Sequence, residues 1–173
     1  MRPSFMGVWN AFPDHVAHPT LKDLYTWLGG KARQNIEAPG FGPNGNACAS
    51  RLSVAFNNGG MPINPSVAAS LGIQTITTGD GAKIIFRVQS FRKYLIKVFG
   101  DPIVDVTLPF NDKFLGQMGI IAFNVNWADA SGHIALWNGN KFREPTHDDY
   151  STYVGGTRGD VKTRSGEFWK WGS

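Results

Sequence analysis

At 173 residues the chain is long enough for one domain with a full hydrophobic core and short for two. Its 42% hydrophobic and 17% charged residues exclude a disordered chain, and its net charge of +4 comes without a block of like charges or an aromatic-interleaved basic stripe, so nucleic acid is not an expected partner. A single cysteine excludes an internal disulfide framework.

The N-terminal stretch Met1 to Trp9 lacks the apolar core and cleavage site of a signal peptide, and no later stretch approaches the ~20 apolar residues of a membrane span. No span is expected, and action outside the cytoplasm would need a carrier other than the general export route. Ser4 followed by Phe5, Val8, Trp9 and Phe12 predicts a short amphipathic helix stopped by Pro13. Thr20 with Asp23 three residues on has the form of a capping box; Leu21, Leu24, Tyr25 and Leu28 then line one face until Gly29-Gly30. His15 and His18, in the linker beside Pro13 and Pro19, read as solvated loop histidines.

The run from Ala38 to Gly45 consists of turn residues that continue no regular element, so a helix must begin after it. Cys48, Leu52 and Ala55 recur at helical spacing, with Ser50 and Arg51 off that face, until Asn57-Asn58-Gly59-Gly60. Asn46 is the expected cap. Cys48 then stands in the first turn, where the partial positive charge of a helix N-terminus stabilises a thiolate, the nucleophilic form of the side chain. A small buried apolar residue is the other reading of a lone cysteine.

Further on, Asn64-Pro65-Ser66 opens a short helical piece ending at Leu71-Gly72. Ile73–Thr77 and Ala82–Arg87 flank Gly79-Asp80-Gly81 as two strands and a turn, and Val88, Phe91, Leu95, Val98 and Phe99 predict a helix closed by Gly100. Asp101 to Gln117 has no clear period and reads mostly as loop. Met118 to Val125 is apolar except at Asn124, as a strand buried on both faces should be. Gly132 to Trp137 is a second strand, and Asn138-Gly139 a hairpin turn. A last strand is expected around Glu167 to Trp171.

A helix that carries a cysteine, followed much later by antiparallel strands of which one begins Gly132-His133, is the layout of papain-like cysteine peptidases. His133 would take the thiol proton and return it to the leaving amine, and a third group would fix the imidazole. A structural sheet histidine is the other reading of His133. A zinc site would need three or four ligands, and Cys48 brings no second cysteine.

Two blocks, Asn46-Ala47-Cys48-Ala49-Ser50-Arg51-Leu52-Ser53 and Gly132-His133-Ile134-Ala135-Leu136-Trp137-Asn138-Gly139, resemble the signature blocks of the fourth family of type VI secretion amidase effectors. The N-terminal helix and the Gly29-Gly30 stop are similar too. The resemblance implies an α+β chain of papain-like (NlpC-type) fold, with N-terminal helices and the nucleophile helix packed on an antiparallel sheet, as a single amidase domain over residues 1–173. It further implies an antibacterial toxin that cleaves the D-glutamyl–diaminopimelate bond of peptidoglycan stem peptides, and a cognate immunity protein. The chain would be made in the cytoplasm, passed by type VI secretion machinery to the target-cell periplasm, and need no cofactor or metal. A housekeeping murein endopeptidase and a non-catalytic cell-wall or partner-binding module are the rival expectations.

Many relatives carry extra cysteines just after the hairpin and an aspartate as the third residue; this chain has Asn140-Lys141-Phe142-Arg143-Glu144 there. A two-residue turn at Asn138-Gly139 would pair Trp137 with Asn140 and bring His133 opposite Glu144, with Cβ atoms ~5 Å apart on one face. On that count Glu144 is the expected third catalytic residue, with Cys48 and His133. Asp148 and Asp149 rank second, because Pro145 is expected to end the ladder before them.

Overall fold

The computed structural model describes residues 3–36, 47–105, 109–125, 132–150 and 163–172. Two compact units divide the chain, Met1–Phe91 and Arg92–Ser173.

The first unit is mainly helical. Helix α1 (Phe5–Asn10) starts where the Ser4 hydroxyl accepts from Gly7 N–H, and it buries Phe5 and Val8. Helix α2 (Leu21–Leu28) carries the expected capping box: Thr20 accepts from Asp23 N–H, and the Asp23 carboxylate accepts from Thr20 N–H. Both devices satisfy amides that have no partner inside a helix. The stop at Gly29 is followed at once by a further turn, α3 (Gly30–Gln34), which the sequence pattern does not announce. Gly30 has φ of 60°, and a Cβ there would lie 2.7 Å from the Thr78 carbonyl carbon, so glycine is required both for conformation and for close approach.

Helix α4 (Cys48–Asn58) is the centre of this unit. It ends at Gly59 as its pattern predicts, but one expectation is corrected: Ser50 and Arg51 are buried, so every side from Cys48 to Phe56 faces protein. The polar groups are accommodated by partners. Ser50 Oγ is 2.8 Å from Tyr25 Oη, and Arg51 donates to the carbonyls of Pro13 (2.9 Å) and His18 (2.6 Å). Ser53 Oγ accepts from Ile85 N–H at 2.8 Å. The Asn46 cap lies outside the described residues; the helix is preceded by Ala47, which offers no side-chain cap.

After α5 (Pro65–Ser70), capped by Asn64, strands β1 (Thr75–Thr77) and β2 (Lys83–Ile85) form an antiparallel hairpin with Ile76 opposite Ile84. α4 packs on this hairpin through Ser53 and through Asn57, whose amide donates to Lys83 O. The core gathers Leu21, Leu24, Tyr25, Ala32, Val54, Ile76 and Ile84. Each such large apolar side chain taken from water contributes roughly 1.5–3 kcal/mol. Helix α6 (Val88–Phe99) spans the boundary between the units; at its start Phe91 meets Phe56 edge-on.

The second unit is a four-stranded antiparallel sheet in the order β3-β6-β4-β5, formed by β3 (Ile103–Asp105), β4 (Gly119–Val125), β5 (His133–Trp137) and β6 (Thr163–Lys170). β4 is central and buried except at Asn124, as its sequence predicts. The segment read as loop after Asp101 contains β3 and a 3-10 helix, Phe110–Phe114. β3 escapes a pattern search because it is three residues long and lies at the sheet edge, where Ile103 and Val104 stay exposed. One sheet face holds Ile121, Phe123, Val125, Ala135, Trp137 and Phe168, covered by Phe110, Phe114 and Phe142. On the other, Arg92 pairs with Glu167 at 2.6 Å, and Trp169 Nε1 donates to Gly100 O.

The hairpin after β5 differs from the counted one. Asn138 Oδ1 accepts from the amides of Asn140 and Lys141, and Asn138 N–H donates to Lys141 O. The loop is therefore four residues, Asn138–Lys141, and Trp137 bridges Phe142, not Asn140. The register moves by two, and the chain leaves the ladder into the one-turn helix α7 (Pro145–Asp148). Glu144 precedes that helix and is not opposite His133.

Candidate functional site

Cys48 is the first residue of α4 and is buried. Arg51 N–H closes the first turn on Ala47 O at 2.8 Å. The amides of such a first turn point outward along the helix axis without intrahelical acceptors, a ready environment for negative charge.

His133 is the first residue of β5, opposite Phe123 of β4, and belongs to the second unit. Strand alternation puts its ring on the aromatic face, together with Ala135 and Trp137. It is buried, and its Nε2 lies 2.8 Å from Asp148 Oδ1. Asp148 is itself only 4% exposed. A carboxylate only accepts, so Nε2 carries the hydrogen in this contact, and in the neutral imidazole the lone pair then falls on Nδ1.

α7 explains why Asp148 reaches the histidine. Pro145 fixes the first helical φ, and helical side chains lean toward the N-terminus, so Asp148 points back over Glu144. Its Oδ2 accepts from Glu144 N–H at 2.9 Å, while Asp148 N–H donates to Glu144 O at 2.9 Å. Both carboxylate oxygens are thus engaged, one by the chain and one by the imidazole. The carboxylate beside His133 is Asp148, and the expectation of Glu144 there is corrected. A signal was available in Glu144-Pro145-Thr146-His147-Asp148, where a proline at a helix start precedes an acidic residue three positions on. Asp149 is exposed.

Tyr150, which no sequence pattern singles out, packs its ring against His133 with centroids 4.8 Å apart and 42° between planes. Its other neighbour is Phe123, at 6.2 Å.

Both linker histidines, His15 and His18, are half-buried rather than solvated. The ring of His18 lies 4.4 Å from that of Trp27, and burial, followed by the charge of Arg51, lowers its pKa against the opposing pull of Asp14 and Asp23. No helix among the described residues is long and apolar enough to cross a membrane.

The model of the family described as type VI secretion system (T6SS), amidase effector protein 4, matches residues 44–169, which contain Cys48, His133 and Asp148. The chain belongs to this amidase effector family. The Tae4 effector of Enterobacter cloacae, solved as the effector–immunity complex Tae4–Tai4, is 31% identical with a TM-score of 0.77, over 99% of this chain and 100% of that one. Tae4 of Salmonella typhimurium, solved with the immunity protein Tai4 from Enterobacter cloacae, is 28% identical with a TM-score of 0.78 over the same shares. Tae4 of Enterobacter cloacae solved by itself gives 31% identity and a TM-score of 0.74, over 99% of this chain and 98% of that one. No curated protein sequence matches. The α+β architecture with antiparallel sheets is that of these amidase effectors, and the family model runs through both units of the chain.

Proposed function

We propose that this amidase effector is an antibacterial cysteine amidase of papain-like fold that hydrolyses the D-glutamyl–diaminopimelate bond of peptidoglycan stem peptides, with Cys48 as nucleophile, His133 as general base and acid, and Asp148 as the group that orients His133. The observation that carries this reading is the buried 2.8 Å contact between His133 Nε2 and Asp148 Oδ1. It presents Nδ1 as the proton acceptor, as a base that serves a thiol requires. Cys48 Sγ gives its proton to Nδ1 and attacks the amide carbonyl carbon. The oxyanion is held by first-turn amides of α4 that include the one of Cys48. Collapse breaks the C–N bond, with the proton on His133 passing to the departing amine and the acyl group remaining as a thioester. Water then attacks the thioester, gives a proton to His133, and releases the carboxylic acid and Cys48.

The continuity of the family match across both units supports our reading that they serve one amidase. The relatives solved with Tai4 support a cognate immunity protein as partner. The effector family supports delivery by type VI secretion and action in the target periplasm.

Digestion of purified murein tests the chemistry. Wild type should release fragments with new D-glutamyl carboxyl and diaminopimelate amino groups, and Cys48→Ala and His133→Ala should not. Undiminished release by Cys48→Ala would return the chain to the class of binding modules. Expression with and without an appended export signal tests the location, since only the exported form should lyse cells, and co-expression of the immunity protein should prevent it.

A further inference from the structure

We propose that Tyr150 is a positioning residue for His133, fixing the rotation of the imidazole about its Cβ–Cγ bond so that Nδ1 is held in one direction. The inference rests on the reading of His133 as the base.

The argument begins with what the Asp148 contact can and cannot do. In an imidazole, the Cβ–Cγ axis leaves the ring across the Cε1–Nε2 edge, so Nε2 lies close to that axis. A hydrogen bond at Nε2 therefore pins the far end of the ring but opposes rotation about the axis only weakly. Nδ1 lies off the axis and sweeps an arc when the ring turns. That atom must meet the thiol proton, and its aim needs a second constraint that acts on the ring face.

Tyr150 supplies such a face. Its ring centroid lies 4.8 Å from that of His133, within the range of aromatic contact, at an interplanar angle of 42°. Tyr150 cannot simply turn with the imidazole, because its ring also rests on Phe123, a member of the sheet's aromatic core and the residue paired with His133 across β4 and β5. The chain reaches this place from α7, and Tyr150 N–H donates to Asp148 O at 3.0 Å. One short segment thus presents both constraints, the carboxylate at the ring's tip and the phenol ring packed at a tilt against the imidazole. The constraint is steric, so the Tyr150 hydroxyl is not required for it.

A variant series separates this role from simple packing. Tyr150→Phe keeps the face, while Tyr150→Leu and Tyr150→Met fill the space without a planar one. Tyr150→Phe should keep kcat within about twofold of wild type, and Tyr150→Leu should lose about 10- to 100-fold in kcat with KM nearly unchanged, as a misaimed catalytic group does. If Tyr150→Leu does not fold, Tyr150→Met makes the same test. The NMR signals of the His133 ring should be sharp in wild type and Tyr150→Phe, and broadened by exchange in Tyr150→Leu or Tyr150→Met. Unchanged kcat in a folded Leu or Met variant would overturn the inference, as would an equal fall in Tyr150→Phe. If His133→Ala keeps activity while the ring signals still broaden, the base reading fails and the orienting contact stands. If His133→Ala is inactive and both aliphatic variants are normal, the positioning role fails and the base reading stands.

Discussion

Asp148 holds His133 Nε2 with one carboxylate oxygen, at 2.8 Å, and its own chain with the other, through Glu144 N–H at 2.9 Å. A buried acceptor with both oxygens engaged is fixed in orientation before any substrate arrives. On the proposed reading the orienting role falls to Asp148, whose carboxylate meets the imidazole, and not to Glu144, which contributes its backbone amide. Asp148→Asn replaces an acceptor with a group able to turn its amide donor toward the ring, which disfavours the required tautomer. We expect Asp148→Asn to lower turnover roughly 10²–10⁴-fold, the range of a lost general acid–base contribution. Glu144→Gln, which leaves the backbone amide in place, should stay within about threefold. Murein digestion kinetics on the two variants decide this, and a collapse in Glu144→Gln with normal Asp148→Asn would reverse the assignment.

Arg51 carries the second prediction. It is 2% exposed within α4, and two of its guanidinium nitrogens serve the carbonyls of Pro13 and His18. It therefore ties the loop between α1 and α2 to α4. Arg51→Met preserves much of the apolar stem but strips both carbonyls of their donor, and should cost roughly 1–3 kcal/mol, the penalty of leaving buried polar groups unsatisfied. Arg51→Lys should recover only part of this, because one ammonium lacks the planar fork that reaches two acceptors. The urea midpoints of the three proteins measure it, and equal midpoints for wild type and Arg51→Met would refute the tie.

What the sequence discloses follows from where its signals are local. Thr20 and Asp23, Asn64 and Pro65, and the apolar run of β4 are each set within a few residues, and each appears where its pattern puts it. Cys48 heads its helix, as the composition of the sequence before it leads one to expect. The failures arise where a distant partner decides. Arg51 looks like a surface residue until Pro13 and His18 supply its acceptors, and β3 has no amphipathic pattern because only β6 requires it. Counting from a two-residue Asn-Gly turn puts Glu144 opposite His133. The Asn138 side chain captures two amides instead, widens the loop by two residues and moves the register. Asx turns of this kind compete directly with the two-residue hairpin, and the dipeptide alone does not decide between them.

Tyr25 gives a prediction in pH. It is fully buried, and burial pushes its pKa up to about 12, against a smaller downward pull from the Ser50 hydrogen bond. The unfolded chain ionises this phenol near its ordinary value of 10.0, whereas the folded chain resists until about 12. Between those values the unfolded state binds fewer protons, so stability must fall as pH rises through the window, by up to about 1.4 kcal/mol per pH unit for this group. Below pH 10 the group has no effect on the slope. Tyr25→Phe should lose about 1 kcal/mol at neutral pH, for the missing hydroxyl partner of Ser50, yet show a shallower decline between pH 10 and 12. Chemical denaturation at several alkaline pH values compares the slopes; identical slopes would mean that Tyr25 ionises as easily folded as unfolded.

Gly59 ends α4 with φ of −93°, an angle any residue adopts, so its lack of a side chain must serve packing, not conformation. A Cβ built there would lie 2.5 Å from Ala55 O in α4 itself, 2.6 Å from Val8 Cα and 2.9 Å from Val8 Cγ2, so the end of α4 and α1 meet at the separation only glycine permits. Val8 is fully buried, and Cα belongs to the backbone, so no rotamer change relieves the contact. Gly59→Ala should therefore cost roughly 1–3 kcal/mol, the usual penalty for forcing extra volume into a filled interior. The double variant Gly59→Ala with Val8→Ala separates the backbone atoms, Ala55 O and Val8 Cα, from the Val8 methyl as the source of the clash. If the backbone is the obstacle, removing the valine methyls restores nothing, and the double variant is less stable than either single one. Recovery of the thermal midpoint in the double variant would show instead that Cγ2 was the obstacle and that α1 and α4 have room to approach.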